Sequence, residues 1–93
     1  MPLFAAILEY GDDVERRQRV RPSHREYLRS LLEQGKLVRS GPFADDSGAL
    51  IIYEAEDISE AQVLLTNDPF ALNGIIVGAE IKEWNVVMDR NAS

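Results

Sequence analysis

The chain predicts an α+β fold with the element order βαββαβ, and three observations predict it. Two runs, LFAAILEY at Leu3–Tyr10 and ALIIYEA at Ala49–Ala55, are apolar at nearly every position and have the length of strands. Two stretches, opening at Pro22 and at Asp57, combine helix-start chemistry with apolar residues at helical spacing. Turns rich in Gly, Pro, Asp and Asn separate these segments.

In chain order, Leu3 to Tyr10 is the first strand, and Gly11-Asp12-Asp13 ends it. Residues 12 to 21, DDVERRQRVR, are charged and lack an apolar stripe, so they read as an arginine-rich loop. Pro22 suits the first position of a helix, because a proline there gives up an N–H that would have no partner anyway. From there His24, Tyr27, Leu28, Leu31 and Leu32 form one face, with His24 in the first turn, and Gly35 stops the helix. Lys36 to Ser40 is a short second strand closed by Gly41-Pro42, and Ala44 to Gly48 has hairpin-loop composition. The third strand is Ala49 to Ala55. Asp57-Ile58-Ser59-Glu60 has capping-box spacing and opens a helix that stops at Asn67-Asp68-Pro69. A last strand runs from roughly Ile75 to Val87. Its apolar parity changes between Ile81 and Trp84, which predicts a bulge or break near Lys82-Glu83.

This order predicts a single ferredoxin-like domain over residues 1–93. It has a four-stranded antiparallel sheet and two helices on one face, because both crossovers are right-handed. The strands are apolar on both faces, and helices cover only one. The simplest cover for the other is the same sheet of a second copy, so a homodimer is expected.

Composition excludes several function classes. With 16 acidic and 10 basic residues the net charge is -6, which opposes phosphate backbones and anionic bilayers, so neither nucleic acid nor membrane is expected as a partner. There is no cysteine, hence no disulfide and no thiolate metal site or nucleophile. The N-terminal segment lacks a basic lead and a long apolar run, and a cytoplasmic location is expected.

Topology then says which residues meet. With the first strand pointing up, the start of the first helix and the end of the second lie at the same end of the domain. That end gathers His24, the only histidine, with Asp68, Tyr10, Arg17, Arg21 and Ser40. An imidazole held by a carboxylate can serve as a general acid/base, since the carboxylate fixes the proton on one nitrogen and frees the other. Taken singly, each residue has an ordinary explanation: a histidine on an apolar face usually packs, Asn-Asp-Pro usually stops a helix, and arginines usually face water. Their convergence is what makes a site. Without a metal set or a Gly-rich phosphate loop, no metal and no cofactor is expected.

Four segments, VRPSHREYL, GKLVRSGPF, NDPFALNGI and EIKEWNVV, also resemble the YCII-related (YciI-like) domain family, in that order and over nearly the whole chain. The resemblance implies a dimeric α+β barrel, formed by two ferredoxin-like sheets, and an active-site dyad of His24 and Asp68. It implies a binding role for Arg21 and an earlier basic residue, Arg17, while Ser40 falls where members vary. By analogy with a dehydrochlorinase of a chlorinated hydroxyquinol and with muconolactone isomerases of related fold, it implies a cofactor-free lyase or isomerase acting on a small, oxygen-rich anion. The alternative from another class is a non-catalytic binding or regulatory module with the same cleft.

Overall fold

A computed structural model describes residues 1–91 and has four strands and three helices. The strands are β1 (Leu3–Tyr10), β2 (Leu37–Pro42), β3 (Gly48–Glu54) and β4 (Ile76–Trp84); the helices are α1 (Val14–Glu33), α2 (Ile58–Thr66) and α3 (Pro69–Leu72). The sheet order is β2-β3-β1-β4 with every neighbouring pair antiparallel, as the ferredoxin-like reading requires. Alternation along β1 sorts its side chains: Phe4, Ala6 and Leu8 are buried under the helices, while Ile7 lies exposed on the other face. The core joins these residues to Ile51 and Tyr53 of β3, Leu28 and Leu31 of α1, and Ala61, Leu64 and Leu65 of α2.

The first helix starts much earlier than its apolar pattern predicts. Asp13 is its N-cap, with the side chain accepting from the Arg16 N–H at 3.1 Å, so the expected loop at residues 12–21 is helical from Val14 onward and Pro22 lies inside α1. The inward stripe of its first turns does exist. It is occupied mainly by Arg17 and Arg21, with Val20 its one aliphatic residue, because this half of the helix overlies the polar end of the domain and not the core. His24 therefore sits mid-helix and is remote from the helix N-terminus. The C-terminal end is as expected: Gly35 has φ 75°, and Lys36 N–H to Leu31 O with Gly35 N–H to Leu32 O form the Schellman pattern.

Two further elements differ from expectation. Pro69 ends α2 and also begins α3, with Asp68 as the N-cap between them. In β4 the register with β1 is continuous from Gly78 to Trp84, and the irregularity lies at Val77, opposite the Glu9–Tyr10 step. The parity change near Lys82-Glu83 is no bulge: Ala79 and Ile81 pair with Leu8 and Ala6 on the helix side, and Trp84 pairs with Leu3 on the open side. The strand simply presents apolar groups to different faces along its length. Residues 85–88 are not strand.

The edge strand β2 carries the irregularity that bears on the site. Leu37 pairs with Tyr53 and Arg39 with Ile52, so two residues advance on β2 for one on β3 and Val38 is the extra residue of a β-bulge. A regular strand with Leu37 on the helix side would put Ser40 on the open side. The bulge reverses that parity, and Ser40, opposite Ile51, faces the helices.

Candidate active site

Asp68 reaches the interior because Asn67 caps the end of α2 and Pro69 fixes the turn into α3. Its side chain is completely buried, and Oδ1 accepts the Phe70 N–H at 2.9 Å. The same oxygen lies 2.7 Å from Nδ1 of His24, which is 8% exposed. An ionised carboxylate only accepts, so Nδ1 carries the proton in this contact and Nε2 presents its lone pair. Phe70 then fixes the ring plane, stacking on the imidazole at 3.8 Å between centroids and 3° between planes. The histidine is held by an in-plane hydrogen bond and a face contact, a geometry that leaves one nitrogen available.

The tyrosines around the pair hold their protons. Burial pushes the Tyr53 phenol well above its ordinary range, and the charges of Asp68 and Tyr27 add to that. The Tyr27 phenol is likewise raised, by burial first and Asp68 second, and its O–H donates to the Leu64 carbonyl at 2.6 Å, tying α1 to α2. Tyr10 contacts Phe70 edge-on at 5.7 Å between centroids; burial raises its phenol, with Arg17 opposing.

His24 lines an open groove of about 520 Å³ between α1 and β2, together with Ser40, which the bulge has turned inward. Of the sequence-predicted residues, the structure thus brings His24, Asp68 and Ser40 to one place. Arg17 and Arg21 lie two turns and one turn before His24 on the same helix face, but neither lines this groove. Arg17 is 4% exposed and already engaged: it pairs with Asp46 and its guanidinium lies 4.7 Å from the centre of the Tyr10 ring. It pins the β2–β3 loop to α1, where Asp46 adopts φ 63°. Arg21 is half-buried and makes no ion pair among the described residues.

Sequence reasoning missed Arg25, Arg29 and Arg39, which do line the groove, and the stacking role of Phe70. The two helix arginines fell on the outward side of the predicted stripe, and nothing in the sequence marks the bulge that shapes the opposite wall. No cluster of three or more histidine, aspartate or glutamate side chains suited to a metal occurs among the described residues. None of the described helices is long and apolar enough to cross a membrane.

Comparison with known proteins agrees with this architecture. The YCII-related domain family matches residues 3–85. The proteins called YciI of Escherichia coli O6:H1 and Shigella flexneri are each 29% identical, over 83% of this chain and 89% of theirs. A solved structure of 5-chloro-2-hydroxyhydroquinone dehydrochlorinase (TftG) from Burkholderia phenoliruptrix AC1100, in complex with 2,5-dihydroxybenzoquinone, superposes with a TM-score of 0.78. It is 26% identical, over 89% of this chain and 93% of the other. A hypothetical protein from Pyrococcus horikoshii shares the fold at a TM-score of 0.52 and 11% identity, over 98% of this chain and 99% of its own.

Proposed function

The chain belongs to the YCII-related domain family, and from that premise we propose that it is a small acid–base enzyme, a lyase or isomerase that needs no cofactor. The observation that carries the reading is the 2.7 Å contact between His24 Nδ1 and Asp68 Oδ1, which leaves Nε2 as the nitrogen able to exchange a proton with a ligand in the groove. Nε2 takes a proton from an acidic C–H or O–H of a small oxygenated ring compound. The electron pair left behind moves into the ring. It departs with an anionic leaving group in a lyase, and in an isomerase it is protonated at another carbon by the imidazolium. Asp68 orients the ring and stabilises the imidazolium between the two transfers. Ser40 donates a hydrogen bond to a substrate oxygen, and Arg21 supports the negative charge from the preceding turn. Arg17 acts indirectly, through the loop it pins. The dehydrochlorinase relative, with its hydroxylated quinone ligand, supports a planar oxygenated ring as the substrate class. The enzyme works as a homodimer joined through the open faces of its sheets.

Proton abstraction can be tested without knowing the leaving group. Enolisable hydroxyquinones and 5-chloro-2-hydroxyhydroquinone are incubated with the protein in D₂O, following ring-proton exchange by NMR and chloride release by electrode. Catalysed exchange or release is expected to fall about 10²–10⁴-fold in His24→Ala. Undiminished turnover in a folded His24→Ala protein overturns the reading, and so does binding of these compounds with no chemistry after long incubation.

A further inference from the structure

The charges around the groove are not distributed like those of the molecule. The chain holds 16 acidic residues to 10 basic, yet three arginines line the groove beside His24 and no carboxylate does. The ion pairs among the described residues are Arg17–Asp46, His24–Asp68 and Lys82–Glu80, so Arg25, Arg29 and Arg39 use none of the available acids. Glu33 lies one turn beyond Arg29 and is not bonded to it. Like charges four apart on a helix repel, which an anion in the groove would relieve, whereas Arg39, opposite Ile52, turns toward the open side of the sheet. The walls also differ in polarity. Leu28 and Leu32 alternate with the arginines along α1, and Leu37 contributes from β2, giving an apolar surface bordered by guanidinium groups.

We infer that this groove selects a planar organic anion, its ring lying against the leucines and its carboxylate or enolate oxygens held by Arg25 and Arg29. The inference rests on the reading of His24 as a ligand-facing group and deepens it by assigning the residues that recognise the substrate's charge. A guanidinium offers paired N–H donors matched to two oxygens of one acid group. Arg21, which lies outside the groove, is secondary in this arrangement. The volume of about 520 Å³ falls within the range of small-molecule sites.

His24 provides a built-in reporter, because the chain has one histidine and its imidazole C–H signals need no assignment. The protein is titrated with 2,5-dihydroxybenzoquinone, whose hydroxyls are vinylogous acids, and with benzoate; hydroquinone and benzamide are the neutral counterparts. The anions are expected to shift the His24 signals saturably, with neutral compounds binding at least about tenfold more weakly. Arg25→Gln and Arg29→Gln should each weaken anion binding, by about tenfold for a residue that contacts the ligand directly. Arg19→Gln removes one equal charge from an exposed position on the same helix and should leave binding unchanged. Equal affinity for neutral and anionic compounds overturns the inference. So does an effect of the two groove variants no larger than that of Arg19→Gln, or the failure of either anion to move the His24 signals. Anion binding that depends on these arginines, but with no ring-proton exchange in D₂O, supports this inference while overturning the enzymatic reading.

Discussion

Asp68 serves two hydrogen bonds with one oxygen, and that economy has a testable consequence. Oδ1 accepts both the Phe70 N–H at 2.9 Å and the His24 imidazole at 2.7 Å, while Oδ2 is buried with no hydrogen-bond partner in the protein. In Asp68→Asn the backbone N–H of Phe70 holds the amide oxygen at the Oδ1 position, since an NH₂ there would face two donors. The oxygen therefore still accepts from Nδ1, and His24 keeps the same tautomer. The variant removes charge while keeping orientation. A charge-assisted hydrogen bond is about twice as strong as a neutral one, so turnover should fall by only about 10–10². Asp68→Ala loses the helix cap as well, lowering stability by about 0.5–2 kcal/mol for the cap alone. Thermal unfolding and ring-proton exchange measured together should therefore rank the alanine variant below the asparagine variant in both respects. A loss as large in Asp68→Asn as in His24→Ala would mean that the amide has turned and the tautomer has changed.

Helix α1 retains a proline nine positions into its 20 residues, where a proline removes an intrahelical hydrogen bond and crowds the preceding turn. An interior proline costs a helix about 3 kcal/mol relative to alanine, and its stiffening of the unfolded chain returns about 0.4–1 kcal/mol. Pro22 is exposed, so Pro22→Ala should stabilise the protein by about 2 kcal/mol, read as a higher denaturant midpoint with an unchanged slope. An unchanged midpoint would show that the helix already absorbs the proline without loss. The same residue explains what was legible in the sequence. Pro22 has the chemistry of a helix start and the residues before it lack an apolar stripe, so the pattern begins the helix eight residues late. The stripe there is written in Arg17 and Arg21, whose contacts are with Tyr10, Asp46 and the polar end of the fold. Strand identity, the fold class and the placement of His24 and Asp68 at one end of the domain follow from apolar runs and crossover handedness, which are properties of the chain alone. The bulge at Val38 does not, because it depends on which β3 residue each β2 residue opposes. With it went the inward turn of Ser40 and the recognition of Arg25, Arg29 and Arg39 as groove residues.

Across the whole molecule, the helices cover one face of the sheet and leave an apolar surface on the other. Cross-strand pairing places Leu3, Ala5 and Ile7 of β1 beside Leu50 and Ile52 of β3 and Trp84 of β4 on that open side. Ile7, Leu50 and Trp84 are 43%, 38% and 47% exposed, a contiguous set rather than scattered single residues. The beginning of the C-terminal segment adds to it, since Trp84, Val86 and Met88 border the same cleft as Leu3 and Ile52. A chain of 93 residues gains stability disproportionately from burying such a surface. Charge does not favour the pairing: two copies each carrying -6 repel, so the apolar contact has to supply the association. Added salt screens the repulsion and strengthens apolar contact, so dimerisation through this face should tighten as ionic strength rises. Leu50→Lys places a charge near the middle of the face while pointing away from the core. Sedimentation should find the parent as a dimer and this variant as a monomer, with unchanged far-ultraviolet circular dichroism. A parent protein that sediments as a monomer at every salt concentration, or a Leu50→Lys variant that stays dimeric, would show that the open face of the sheet is not where two copies meet.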